Sequence, residues 1–178
     1  MRRAALCLAF VVGLAFAAVP ATAVAAGVSS TLPASAGDAG PEVLPAPPDR
    51  LDAILPDGPL ILHLWATWCA PCRAELPELA AFRAVLPADL GDRLVVVSVD
   101  TRPLAEVRRF LDGDMALPGF ETYRVDPAEA GGRFQVIGYP LTLFLDRDGA
   151  VTRRISGAAP WPDAGFRSQA LEHLGAGS

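Results

Sequence analysis

The stretch Leu62–Pro77, LHLWATWCAPCRAELP, carries two cysteines three positions apart, Cys69 and Cys72. The run that enters it, LILHLW from Leu60 to Trp65, is apolar at every position but His63. Apolar residues on both faces mark a central strand covered on two sides. The run that leaves it, APCRAELPELAAFRAVL from Ala70 to Leu86, has helical spacing, with Pro77 inside it as an expected kink. A strand that turns directly into a helix places the cysteine pair at the helix N-terminus.

Residues i and i+3 of a helix share a face about 5–6 Å apart, inside the range a disulfide spans. Cys69, expected in the first turn, would meet unpaired amides and the positive end of the helix dipole. Both favour a thiolate, so Cys69 reads as the nucleophile. Cys72, one turn deeper, reads as the resolving thiol. Pro71 has no amide hydrogen and limits the donors that reach the sulfur.

Other chemistries of such a pair fit less well. A structural disulfide closing so short a loop constrains the unfolded chain little. Zinc takes four ligands, and outside the carboxylates only His63 and His173 could join the cysteines. Copper suits two soft thiolates, yet Met115 is the only methionine after the start. Redox cycling is the expected use, with a copper-handling binding module as the rival from another class.

Outward from the pair, DRLDAIL from Asp49 spaces Leu51, Ile54 and Leu55 as one short helix. RLVVVSVD, ending at Asp100, reads as a second doubly buried strand. PLAEVRRFLDG (103–113) reads as a helix, with Pro103 near its start and Gly113 near its end. A short strand is expected between Phe120 and Val125, then a brief helix opened by Asp126-Pro127 and ending near Phe134. LTLFL and AVTRRIS flank DRDG as a hairpin, with Asp148-Gly149 supplying the turn. A last helix from about Pro162 to Leu174 turns Phe166, Ala170, Leu171 and Leu174 inward. Strands alternating with helices, then an antiparallel hairpin, predict an α/β chain with a central mixed sheet flanked by helices.

The 178 residues suit one domain, and 52% are apolar, enough for a packed core. The formal charge is −5, all 15 basic residues are arginine, and they are scattered. That pattern argues against a nucleic-acid surface. Residues 1–26 read as a signal peptide. Arg2 and Arg3 precede an apolar stretch, Pro20 breaks it, and small residues follow. The rival is an uncleaved anchor that would hold the protein to a membrane. Removal of the signal leaves Cys69 and Cys72 as the only cysteines, an even count in a disulfide-permissive compartment. Residues 27–48, rich in Ala, Gly, Ser and Pro, read as a flexible linker, and 49–178 as the folded domain.

WATWCAPCRAELP resembles the active-site segment of thioredoxin-like proteins, in particular the exported TlpA-like thiol-disulfide reductases. Pro77 stands where that family has its helix kink. Gly138-Tyr139-Pro140 matches a loop carrying a cis-proline that faces the cysteines, and LTLFLDRDG matches the strand and turn that follow. The chain departs from the pattern in its short first helix, in Leu141 after the proline, and in the bulk of Tyr139. The resemblance implies a thioredoxin fold, no cofactor, and reduction of protein disulfides through Cys69 and Cys72. It also implies a periplasmic location, a membrane thiol protein as electron donor, and apocytochrome c or a copper-site protein as client. The protein is expected to be a monomer. An oxidase or isomerase of the same fold would differ only in potential.

The same resemblance makes Pro140 part of a substrate edge and Tyr139 part of its groove. Trp65 and Trp68 are expected under and beside the site. His63 stands where thioredoxin has a buried acid that relays a proton. It is read either as such a relay, with its pKa lowered by burial, or as a core histidine. Glu75 is expected to be solvated, Trp161 to cap the last helix, and His173 to be a cation at that helix's C-terminal end.

Overall fold

The computed structural model describes residues 50–175. In chain order it contains α1 (Leu51–Ile54), β1 (Leu60–Trp65), α2 (Ala70–Arg83), β2 (Leu94–Val99), α3 (Leu104–Gly113) and β3 (Tyr123–Val125). There follow α4 (Pro127–Phe134), β4 (Leu141–Leu145), β5 (Val151–Ser156) and α5 (Ala164–Gly175). The segments read as signal peptide and linker lie outside the described residues. Among the described residues no helix is long and apolar enough to cross a membrane.

The doubly apolar runs form the centre of the sheet, as their composition requires. Its strand order is β3-β2-β1-β4-β5. β1 pairs parallel with β2 and antiparallel with β4, and all three strands are buried along their length. β3 joins β2 in parallel, and β5 closes the other edge antiparallel to β4. Because side chains alternate along a strand, the three central strands feed two cores. On one face Ile61, Trp65, Val96 and Phe144 meet α2, α3 and α5 through Leu76, Leu79, Phe82, Val107, Leu111 and Phe166. On the other, Leu62, Leu64, Val97 and Leu143 meet α1 and α4 through Leu51, Ile54, Ala130 and Phe134. This is the mixed sheet between helical layers that the pattern of elements predicts. Its consequence for the site is that β1 delivers Cys69 from the most constrained strand.

Three local readings differ from the structure. α2 stops at Arg83, short of Leu86, because Pro87 disfavours helical backbone at the residue before it; Val85 is left exposed. The β4–β5 connection is longer than a two-residue Asp-Gly turn. Such a turn needs positive φ at both central residues, and here only Gly149 has it, at 75°. Asp146 organises the loop instead, its Oδ1 accepting from the amides of Asp148 and Ala150 at 3.0 and 2.9 Å. Finally, Leu171 faces outward, while Phe166, Ala170 and Leu174 are buried.

Candidate active site

Cys69 is the N-cap of α2, one position before the first helical turn. Its backbone is extended (φ −87°, ψ 105°), and the helix begins at Ala70 with Pro71 in its first turn. The amide of Cys72 donates to Cys69 Sγ at 3.2 Å. The sulfur therefore fills the place that a serine or aspartate oxygen usually takes at a helix start. Cys69 and Cys72 are joined as a disulfide with Cα atoms 5.3 Å apart. Cys69 keeps 5% exposure and Cys72 none, so of the two residues only Cys69 reaches the surface.

The turn before the pair is tied down by a buried carboxylate. Asp100, at the end of β2 and 1% exposed, accepts from the amide and hydroxyl of Thr67, both at 2.9 Å, and from Ser98 Oγ at 2.7 Å. Arg102 donates to Thr67 Oγ1 at 2.6 Å and lies 3.8 Å from the same carboxylate. Trp65 donates from its indole to Thr122 Oγ1 at 3.1 Å and stacks on Phe110. A residue read only as the end of a strand thus anchors the backbone two positions ahead of Cys69.

The outward side of the site is apolar. Trp68 is 61% exposed and meets Tyr139 edge to face at 5.7 Å. Ile137, in the same loop as Tyr139, is 96% exposed. The Tyr139–Pro140 peptide is cis. Tyr139 packs against the cluster containing both cysteines, and its half-buried hydroxyl is pushed to a higher pKa by desolvation. Pro140 is buried, and its carbonyl accepts from Gly157 at 2.9 Å.

Beneath the cysteines lies a polar group that the sequence reading misplaced. Glu75 is 2% exposed, not solvated. It shares the buried stripe of α2 with Cys72, Leu76, Leu79 and Phe82, as the i, i+3, i+4 rule allows from Cys72. Its Oε1 accepts from the amide of Ala159 at 2.9 Å and from the indole N–H of Trp161, while its Oε2 has no hydrogen-bond partner. Burial pushes its pKa up to about 7, against the pull of those two donors, and the charge of Glu78 adds to the rise. Trp161 is therefore a core residue tied to α2, and not a cap on α5.

His63 is fully buried on the same side of the sheet. One ring nitrogen, Nδ1, is 3.0 Å from Thr142 Oγ1, its register partner on β4, and Nε2 has no partner. Its ring stands edge to face against Trp161 at 5.9 Å. Burial lowers its pKa to about 3, so the imidazole is neutral. His173 is half-buried against the sheet and does not stand free at the surface: its Nε2 donates to the carbonyls of Leu60 and Leu145 at 3.2 and 2.9 Å. Among the described residues no group of three or more His, Cys, Asp or Glu is placed to hold a metal. A groove of about 390 Å³ lies elsewhere, between the C-terminal end of α2 and residues 116–121.

The sequence profile of the Redoxin family matches residues 50–170. Thioredoxin-like protein YneN of Bacillus subtilis is 32% identical over 97 residues, 52% of this chain and 52% of that protein. Thiol:disulfide interchange protein HelX of Rhodobacter capsulatus is 30% identical over 108 residues, 60% of this chain and 57% of that protein. The chain thus spans a little over half the length of these relatives. A solved structure from Chlorobium tepidum, described as a thiol:disulfide interchange protein DsbE, superposes with a TM-score of 0.51 at 28% identity. That match covers 66% of this chain and 81% of the other.

Proposed function

The chain belongs to the Redoxin family, and from that premise we propose that it is an exported thiol–disulfide oxidoreductase that reduces protein disulfides through Cys69 and Cys72. The observation that carries this reading is the cap: Cys69 Sγ sits at the start of α2 and accepts the Cys72 amide. In the dithiol form that amide and the helix dipole stabilise a Cys69 thiolate.

The thiolate attacks one sulfur of a substrate disulfide. A Cys69–substrate bond forms, the substrate S–S bond breaks, and the first substrate sulfur leaves as a thiolate. Cys72 then gives up its proton and attacks Cys69 Sγ. The Cys69–Cys72 bond re-forms and the second substrate sulfur leaves, so two electrons have passed to the substrate. Glu75 is assigned as the group that takes the Cys72 proton. It lies one helical turn from Cys72 with one oxygen unpaired, and a pKa of about 7 suits transfer near neutral pH. A histidine lowered to about 3 is a far weaker acceptor, so His63 is assigned as a neutral core residue that, like Glu75, meets Trp161.

Trp68, Tyr139 and Pro140 are assigned to the substrate side, with Pro71 limiting the donors at the sulfur. The clients proposed are apocytochrome c or a copper-site protein in the periplasm. A membrane thiol protein re-reduces the disulfide. Export through residues 1–26, release as a soluble monomer or retention by that segment, and the absence of a cofactor complete the reading.

Turnover of insulin by dithiothreitol tests it, with faster precipitation expected when the protein is present. The copper-handling alternative is tested by competition for copper(I) against a chromophoric chelator. Weak binding is expected. Tight one-to-one binding that is lost in His63→Gln, with no insulin turnover, would favour the binding module.

A further inference from the structure

Trp161 is fully buried although it stands in the loop between β5 and α5. Pro160 and Pro162 flank it and restrict the backbone on both sides. The loop is closed by its own hydrogen bonds, Trp161 N to Ala159 O and Asp163 N to Pro160 O, both at 2.9 Å. Three elements grip the indole: Phe82 of α2 stacks on it at 5.3 Å, Phe166 of α5 meets it edge to face at 5.2 Å, and His63 of β1 at 5.9 Å. An indole so held has one direction for its N–H, and that N–H donates to Glu75 Oε1, the oxygen that also accepts from Ala159 N. Two donors converge on one oxygen and none on the other.

We propose that Trp161 is a positioning residue for the resolving step. Its indole N–H, with the Ala159 amide, fixes one oxygen of Glu75 and leaves Oε2 to take the proton of Cys72. The inference rests on the role assigned to Glu75 above. The last torsion of a glutamate side chain is broad and close to two-fold. Without these donors no hydrogen bond would single out one of its two oxygens. In the step itself the Cys72 S–H bond breaks and an Oε2–H bond forms. The sulfur's electron pair makes the Cys69–Cys72 bond, and the substrate sulfur departs with the pair of the bond it loses.

Donation to a carboxylate also favours its charged form, so Trp161 works against the burial that raises Glu75. Charged and titratable groups stand on the elements packed around Trp161 and Glu75. Glu78 on α2 raises its pKa, and His63 on β1 is neutral. Arg167 on α5 lies over the Phe82 ring at 5.8 Å. In the loop, Asp163 accepts from Phe166 N at 2.7 Å. His173, also on α5, is bonded to the sheet carbonyls.

The test is stopped-flow kinetics with a model peptide disulfide between pH 5 and 9, in which attack by Cys69 and resolution by Cys72 are read separately. Wild type is expected to resolve faster as pH rises through about 7. Trp161→Phe is expected to move that limb up by about one pH unit, the effect of losing one hydrogen bond to a charged group, and to leave attack by Cys69 unchanged. Should Trp161→Phe fold poorly, benzothienylalanine at 161 keeps the ring shape and removes only the donor. A limb that stays in place with benzothienylalanine, while Glu75→Gln abolishes it, overturns the role of Trp161 alone. A wild-type limb in Glu75→Gln overturns the assignment of Glu75 and this inference with it. Equal slowing of both steps in the Trp161 variants would make the residue merely structural.

Discussion

Cys69→Ser is expected to reduce insulin turnover to the rate that dithiothreitol gives alone. The sulfur lost belongs to the cysteine that retains some exposure, and it accepts the Cys72 amide at the start of α2. A hydroxyl there keeps the cap hydrogen bond, so the fold should survive while the nucleophile is gone. Cys72→Ser is expected to behave differently. Attack by Cys69 proceeds, resolution fails, and mixed disulfides accumulate on Cys69, visible as mass adducts removed by reductant. Wild-type turnover in Cys69→Ser, or adducts on Cys72 in place of Cys69, would reverse the two roles.

The second large effect concerns stability against pH in the disulfide form, because two buried groups under the site pull in opposite directions. Glu75 rises from 4.5 to about 7 on folding. Between those values the native state holds a proton that the unfolded chain has released, so stability falls as pH rises through the window. His63 drops from 6.5 to about 3. Between those values the unfolded chain holds the extra proton, so stability is lost as pH falls through the window. From pH 4.5 to 6.5 the two slopes oppose each other and nearly cancel. Urea titrations of His63→Gln are expected to expose the glutamate slope, a loss of up to about 1.4 kcal/mol per pH unit from pH 4.5 to 7. Glu75→Gln is expected to expose the opposite slope, a gain of similar size from pH 3 to 6.5. Curves for wild type and both variants that run parallel would mean that neither group is held as the structure holds it.

What the sequence made legible follows from the range of the forces involved. β1 was readable to the residue, Leu60–Trp65, because burial on both faces leaves a continuous apolar run. The cysteine pair was readable because its geometry is set by a separation of 3 along one helix start. Asp126-Pro127 announced α4 by the same kind of local signal: the aspartate side chain accepts from Ala128 N at 2.9 Å. The acid under the site was not readable. Glu75 meets Ala159 and Trp161 at separations of 84 and 86 residues, and helical spacing can place it on a face without showing what covers that face. Asp100 and Thr67 are likewise 33 residues apart. A visible trace of Trp161 was its setting between two prolines, an aromatic on a stiffened loop just after the hairpin.

The reduction potential of the Cys69–Cys72 couple, read by equilibration with glutathione, tests the central claim most directly. A protein that delivers electrons to disulfides should have a potential near thioredoxin's, roughly −270 mV. A value near the strong oxidants, roughly −120 mV, would contradict the reductase reading and make the same site a donor of disulfides.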